Sequence, residues 1–111
     1  MTTKPAPNED LAGVHHRPIF KTDFQNHALY LADHNPSAAL KFVDAVDETL
    51  ALIATQPYMG ALRVFAAGAV HLRMVPVAGF KNYLIYYQPL ERGLIAIRLL
   101  HASMDSLSVF E

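Results

Sequence analysis

Cysteine is absent from this chain, which excludes disulfide bonds, thiolate metal sites and a thiol nucleophile. The sequence also lacks an apolar run of about 18 residues, the length that a membrane-spanning helix requires. Its net charge is only −1, so overall charge does not favour nucleic acid as a partner. These absences fit a cytoplasmic protein, and we expect no membrane association.

The chain has 111 residues, of which 52% are hydrophobic, enough for one domain with a core and too few for two. Its start contains Pro5 and Pro7 and has neither a signal-peptide nor a transit-peptide pattern. We therefore predict a disordered tail over residues 1–13 and a single domain over residues 14–111. Up to Gly60 the chain has four Lys or Arg against seven Asp or Glu, and afterwards five against three, so its second half is mildly basic.

Two amphipathic helices are predicted in the first half of the domain. Pro18 suits a first helical turn, and apolar residues then recur every three or four positions until about Asp33. Asn35 precedes Pro36, which ends the first helix, and the Asn35 side chain can cap the second helix, which we expect to run to about Thr55. The two apolar stripes are Phe20, Phe24, Ala28 and Leu31, and Ala39, Phe42, Val46, Leu50 and Ile53. So short a joint predicts an antiparallel helical hairpin.

Beyond Gly60 the apolar periodicity changes from about 3.6 residues to two, which is typical of strands. Residues 70–77, 80–88 and 94–101 are rich in Val, Ile and Tyr and are separated by short turns that contain glycine. A short strand over 62–66 and a first strand near 13–16 complete the pattern. We predict an α+β fold in the order β-α-α-β-β-β(-β), with the helical hairpin packed on one face of an antiparallel sheet.

Alternation along the predicted strands assigns side chains to the two faces of the sheet. In the last strand, one face carries Ile95, Ile97 and Leu99, and the other carries Ala96, Arg98 and Leu100. The second face mixes apolar residues with Arg73, Arg98 and His71. A solvated face should alternate more cleanly. This mixed face is therefore either covered by the tail of the chain or is a binding surface.

The β-rich half contains the residue types that RNA cleavage by 2′-hydroxyl attack would need, namely proton-transfer groups and cations. The proton-transfer candidates are His71, His101, Tyr86 and Tyr87, and the cations are Arg73, Arg98 and Lys81. Each also has a structural interpretation: core packing for the tyrosines, pairing with Asp105 or a partner carboxylate for the arginines, and a hydrogen bond near Asp105 for His101.

Metal-binding and acidic sites are less well supported. His15 and His16 are adjacent, so on a strand their side chains point apart, and no ligand set follows at zinc spacing. Asp44, Asp47 and Glu48 share a helix face that we interpret as solvated. We therefore predict no metal and no cofactor.

Five short segments, taken in order along the chain, carry a resemblance to a known family. They are NPSAALKF (residues 35–42), PYMG (57–60), LRMVPV (72–77), GFKNYLIYY (79–87) and IRLLH (97–101). Together they resemble the RelE/ParE toxin superfamily, and the β-rich segments resemble its ParE-like branch, over about Val14 to Phe110. The resemblance implies a toxin of a type II toxin–antitoxin pair. RelE-like members cut mRNA on the ribosome, whereas ParE-like members poison DNA gyrase and are not nucleases.

The end of the last predicted strand departs from the superfamily. Many relatives have His, Gly, any residue, Arg and Asp there, whereas this chain has His101, Ala102, Ser103, Met104 and Asp105. The neutral Met104 weakens the nuclease interpretation. The resemblance thus implies a gyrase poison that acts by binding, inhibits growth and stabilises plasmids.

The expected partners and residues follow from that resemblance. We expect a cognate antitoxin, of the ribbon-helix-helix type, to contact Arg73, Arg98, Leu62, Val64 and His71. One alternative is a RelE-like ribosome-dependent mRNA endoribonuclease, in which Arg73, Arg98, His101 and Tyr87 would be catalytic. Another is a non-toxic module that only binds the antitoxin.

Overall fold

A computed structural model describes residues 12–111 and contains a five-stranded sheet and three α-helices. The elements are β1 (Ala12–His16), α1 (Pro18–His34), α2 (Pro36–Thr55), β2 (Ala61–Phe65), β3 (Val70–Val77), β4 (Phe80–Leu90), β5 (Arg92–His101) and α3 (Ser106–Phe110). The predicted α+β class, element order and helical hairpin are confirmed. The predicted disordered tail lies outside the described residues except for its last two, Ala12 and Gly13, which begin β1.

The strand order is β1-β5-β4-β3-β2. The strands β2 to β5 form the predicted antiparallel sheet, and β1 joins β5 in parallel, with Val14 opposite Leu94. Gly93 allows this last pairing, because a Cβ at that position would lie 2.0 Å from the carbonyl oxygen of Gly13. The sheet is therefore mixed, and β2 forms one of its edges.

One residue joins the two helices. The backbone N–H of Asn35 donates to Leu31 at the end of α1, at 2.6 Å. Its side-chain oxygen accepts from the N–H of Ala38 in the first turn of α2, at 3.1 Å. Pro36 then begins α2, so the predicted junction is confirmed. No helix among residues 12–111 has the length and apolar content needed to cross a membrane.

The main core lies between the helical hairpin and the sheet. Phe42 of α2 is fully buried at its centre. Its ring makes edge-to-face contacts with Phe24, Phe80 and Tyr83, at centroid distances of 5.9, 5.2 and 4.8 Å. This arrangement locks both helices against β4.

A smaller core lies on the opposite face of the sheet, beneath α3. The ring of Phe110 lies 4.8 Å from that of Phe65 and 5.0 Å from that of Tyr86. Val109 packs beside it, and Asp105 caps α3 by accepting from the N–H of Leu107 at 3.1 Å. The tail of the chain therefore covers the face that carries Val70, Leu72 and Met74. It does not cover the predicted mixed face of His71 and Arg73, which lies on the side of Val75 and the helical hairpin.

A β-bulge in β5 corrects the predicted assignment of side chains to faces. Arg98 lies opposite Tyr86 and Ala96 opposite Tyr87, so Ile97 is an extra residue in the ladder. The prediction that Ile97 and Leu99 share a face is wrong, because one extra residue reverses the alternation beyond it. Ala96 and Leu99 both belong to the main core, whereas Ile97 packs into the cluster beneath α3.

The substitution Phe42→Ala tests the main core. We expect it to lower the free energy of unfolding by about 3–5 kcal/mol, because it leaves a cavity under both helices. Leu40→Ala is the matched control, since Leu40 is on the same helix and 72% exposed, and we expect it to change stability by less than about 0.5 kcal/mol. Urea unfolding measures both. Equal losses for the two variants would contradict this description of the core.

Candidate functional site

Four of the residues predicted to bind a partner lie together at the β2 edge of the sheet. The β2–β3 register places Leu62 opposite Arg73 and Val64 opposite His71, so all four side chains lie on one face. Leu62 is 52% exposed and Val64 48% exposed. We call these four residues the β2 edge surface. It combines exposed apolar side chains with a strand edge that has no neighbour among residues 12–111.

A cavity of about 380 Å³ opens onto this surface. It is lined by Tyr58, Leu62, His71, Leu72, Arg73, Gln88, Pro89 and Leu90. The guanidinium of Arg73 lies 5.3 Å from the centre of the Tyr58 ring and donates to the carbonyl oxygen of Gly60 at 3.1 Å. Within the described chain Arg73 has no carboxylate partner, because Arg98 and Asp23 form the one salt bridge found there. Arg73 therefore offers an uncompensated positive charge.

Tyr87 holds the loop on which Tyr58 lies. Its side chain is fully buried, and its hydroxyl donates to the carbonyl oxygen of Pro57 at 2.8 Å and accepts from the N–H of Gly60 at 3.0 Å. Gly60 must lack a side chain, because a Cβ there would lie 2.6 Å from that hydroxyl. Burial raises the pKa of Tyr87. The structure thus places this nuclease candidate in a supporting position beneath Arg73, away from solvent.

Arg98 lies away from the β2 edge surface. Its Nε and Nη2 atoms donate to the two carboxylate oxygens of Asp23, at 2.7 and 3.0 Å. Asp23 Oδ2 also accepts from the N–H of Leu99 at 3.0 Å. The carboxylate partner of Arg98 is thus on α1, and Asp105, one of the predicted partners, caps α3 instead.

His101 lies in a second pocket, between α1 and the ends of β4 and β5. The pocket has a volume of about 290 Å³ and is lined by His27, Tyr30, Tyr83, His101 and Ser103. His101 Nδ1 accepts from the N–H of Ser103 at 3.1 Å. His101 lies opposite Tyr83 and Arg73 opposite Tyr87, on either side of β4, so their backbones are roughly 15 Å apart.

The structure therefore separates the four residues of the nuclease alternative into three places. Arg73 lies close to Tyr87 and lines one cavity with the further candidate His71, whereas Arg98 is paired on α1 and His101 is in the second pocket. Tyr86 is buried beneath α3, and Lys81 and Met104 are exposed.

Sequence reasoning missed four aromatic side chains that line the two pockets. Tyr58 follows a proline in a loop, and its contact with Arg73 depends on the fold. His27, Tyr30 and Tyr83 meet only when α1 packs beside β4. The one local signal was the spacing of His27 four residues after Asp23, which places both on one helix face.

The sequence and the fold of this chain match those of known proteins. The family model of the ParE toxin of type II toxin–antitoxin systems, parDE, matches residues 14–106. A solved structure from the chromosomal ParDE TA system of P. aeruginosa superimposes with a TM-score of 0.63 at 12% identity, covering 82% of this chain and 96% of that chain. At this identity the likeness shows a shared fold. The search of curated proteins found no match.

The variant Tyr87→Phe tests the supporting role of the hydroxyl. It leaves the Gly60 N–H and the Pro57 carbonyl without their partner, so we expect the free energy of unfolding to fall by about 1–3 kcal/mol. Tyr30→Phe is the matched control, because Tyr30 is 60% exposed. We expect this variant to change the free energy of unfolding by less than about 0.5 kcal/mol. Urea unfolding compares the two. A Tyr87→Phe protein as stable as the control would show that this hydroxyl does not hold the loop.

Proposed function

The chain belongs to the ParE toxin family of type II toxin–antitoxin systems, and we propose that it poisons DNA gyrase by binding and that a cognate antitoxin neutralises it at the β2 edge surface. The observation that carries the antitoxin site is the open edge of β2 with exposed Leu62 and Val64 beside Arg73. The proposed place of action is the cytoplasm, where growth inhibition would follow whenever antitoxin is lost, as in plasmid stabilisation.

The arrangement of the four residues that would be catalytic in the nuclease alternative supports binding over catalysis. Transition-state stabilisation requires cations and proton-transfer groups aimed at one reacting phosphate. Here the charge of Arg98 is matched by Asp23, and the hydroxyl of Tyr87 is engaged by two backbone groups. His101 is about 15 Å from Arg73 along and across the sheet. This spacing favours a toxin that binds its target without cutting RNA.

The β2 edge surface favours an extended segment of the antitoxin. An unpaired strand edge accepts another strand through main-chain hydrogen bonds, and side-chain pockets then provide specificity. Leu62 and Val64 would pack against apolar side chains of the segment. Arg73 would bind an acidic residue, because its present carbonyl and ring partners do not neutralise its charge. We propose that this segment follows a ribbon-helix-helix domain.

Charge reversal at Arg73 tests the antitoxin site. We expect Arg73→Glu to weaken binding of the antitoxin encoded beside this gene by about 10- to 100-fold, because attraction becomes repulsion. Calorimetric titration of the two purified proteins measures this change. Lys41→Glu is the control, since Lys41 is an exposed cation on α2. Val64→Arg, an exposed substitution on the same surface, should also weaken binding. Unchanged affinity in both edge variants would refute this site.

Expression without antitoxin distinguishes the possible targets. A gyrase poison should cause DNA breaks and filamentation while transcript ends stay unchanged, and the purified chain should inhibit supercoiling by gyrase. Rapid cleavage of transcripts at codon-phased positions, lost in a folded His101→Ala variant, would instead establish the RelE-like ribosome-dependent nuclease. Normal growth at high expression, with the antitoxin still bound, would identify a non-toxic binding module.

A further inference from the structure

The pocket around His101 is not used by the proposed antitoxin site. It lies between α1 and the ends of β4 and β5, and its lining residues are His27, Tyr30, Tyr83, His101 and Ser103. We call it the aromatic pocket. It shares no lining residue with the cavity beside Arg73. Its volume of about 290 Å³ is near the lower limit for small-molecule sites.

Aromatic rings dominate the walls of the aromatic pocket. The ring of Tyr83 lies between two imidazoles, with centroid distances of 5.1 Å to His27 and 5.0 Å to His101, both edge to face. Tyr30 is 60% exposed, although its ring packs against that of His34 at a centroid distance of 4.5 Å. The exposed part of the Tyr30 ring is available to a ligand. None of the lining residues is Lys, Arg, Asp or Glu. These walls suit a planar, uncharged ring system.

The hydrogen bonds of the two histidines define what the pocket offers. His27 Nε2 lies 2.8 Å from the carbonyl oxygen of Leu99, which can only accept, so Nε2 carries a proton, and in the neutral imidazole Nδ1 is then an acceptor. His101 Nδ1 accepts from the N–H of Ser103, so its Nε2 is a donor. Within the described chain neither of these remaining nitrogens has a partner. The pocket therefore combines an imidazole donor with an imidazole acceptor.

The tyrosines add hydroxyl groups to this set. Burial, with a contribution from neighbouring Tyr30, raises the pKa of Tyr83. Its phenol therefore stays protonated at neutral pH and can donate as well as accept.

We propose that the aromatic pocket binds a nucleobase. A base is planar and uncharged, presents donors and acceptors along one edge, and stacks on aromatic side chains. An isolated phosphate would find no Lys or Arg in the lining, and a hydrocarbon ring would leave the imidazole and phenol groups unpaired. The base of a free nucleoside and an unpaired base in a single strand share this chemistry. The inference goes beyond gyrase poisoning and does not depend on it.

Titration of the full chain with adenosine, guanosine, cytidine and uridine tests the proposal. We expect at least one nucleoside to shift the imidazole ring-proton NMR signals of His27 and His101 saturably, while those of His71 stay unchanged. Tyr30→Ala should weaken that binding by roughly 5- to 100-fold, as loss of one stacking ring does. Tyr30→Phe should retain it. Leu29→Ala is the matched control, because Leu29 is the neighbouring residue and 65% exposed.

Two further titrations fix the source of the base and the limits of the proposal. Five-nucleotide single strands that bind more tightly than nucleosides would identify a strand as the source, and equal or weaker binding would identify the free nucleoside. Inorganic phosphate should cause no shift. The proposal is overturned if neither nucleosides nor single strands shift His27 and His101, if phosphate alone reproduces the shifts, or if Tyr30→Ala binds as tightly as the original chain.

Discussion

Asp23 ties the helical layer to the last strand, and the arrangement of the aromatic pocket depends on this contact. The strand β1 leaves β5 at Ala96, so the edge of β5 beyond that point needs other hydrogen-bond partners. Asp23 accepts from the N–H of Leu99, and His27, one turn later on α1, bonds the carbonyl oxygen of the same residue. The backbone of β1 therefore hydrogen-bonds the edge of β5 up to Ala96, and side chains of α1 hydrogen-bond it at Leu99. These contacts fix the rotation of α1 and hence the position of Tyr30.

Arg98 and Arg73 look alike in the sequence, but among the described residues the Asp23 carboxylate pairs with Arg98 and not with Arg73. Asp23 forms a bidentate pair with Arg98, which holds that guanidinium in one orientation and matches its charge. The pair is partly buried, so desolvation offsets much of its attraction, and we interpret the pair as orienting the helix. Arg73 has a carbonyl oxygen and a tyrosine ring as neighbours. These partners orient the guanidinium and leave its charge to attract an acidic group.

Local signals were sufficient for the order of the elements up to β5 and for the helical hairpin, but not for the parallel pairing of β1 or for α3. Pro18 and the Asn35–Pro36 junction lie next to the helix ends that they determine, and Leu62, Val64 and Arg73 belong to neighbouring strands. The aromatic pocket could not be predicted from local signals, because it depends on contacts between residues that are distant in the sequence. Asp23 and Arg98 are 75 positions apart, and the extra residue at Ile97 leaves no mark in the alternation of a strand that is apolar on both faces. His27 therefore gave no sign from sequence that it would meet His101.

Two tyrosines of the strand β4 link the aromatic pocket with the loop beside the β2 edge surface. Tyr83 forms part of the aromatic pocket, and Tyr87, on the same face of β4, holds the loop beneath Arg73. Four residues of extended strand separate them by roughly 13 Å, and the space above that interval is filled by the packed core that contains Phe42. Coupling between two sites requires an element with two alternative arrangements. We expect no such element in the close-packed core across β4, so a base in the pocket and an antitoxin on the β2 edge surface should bind independently.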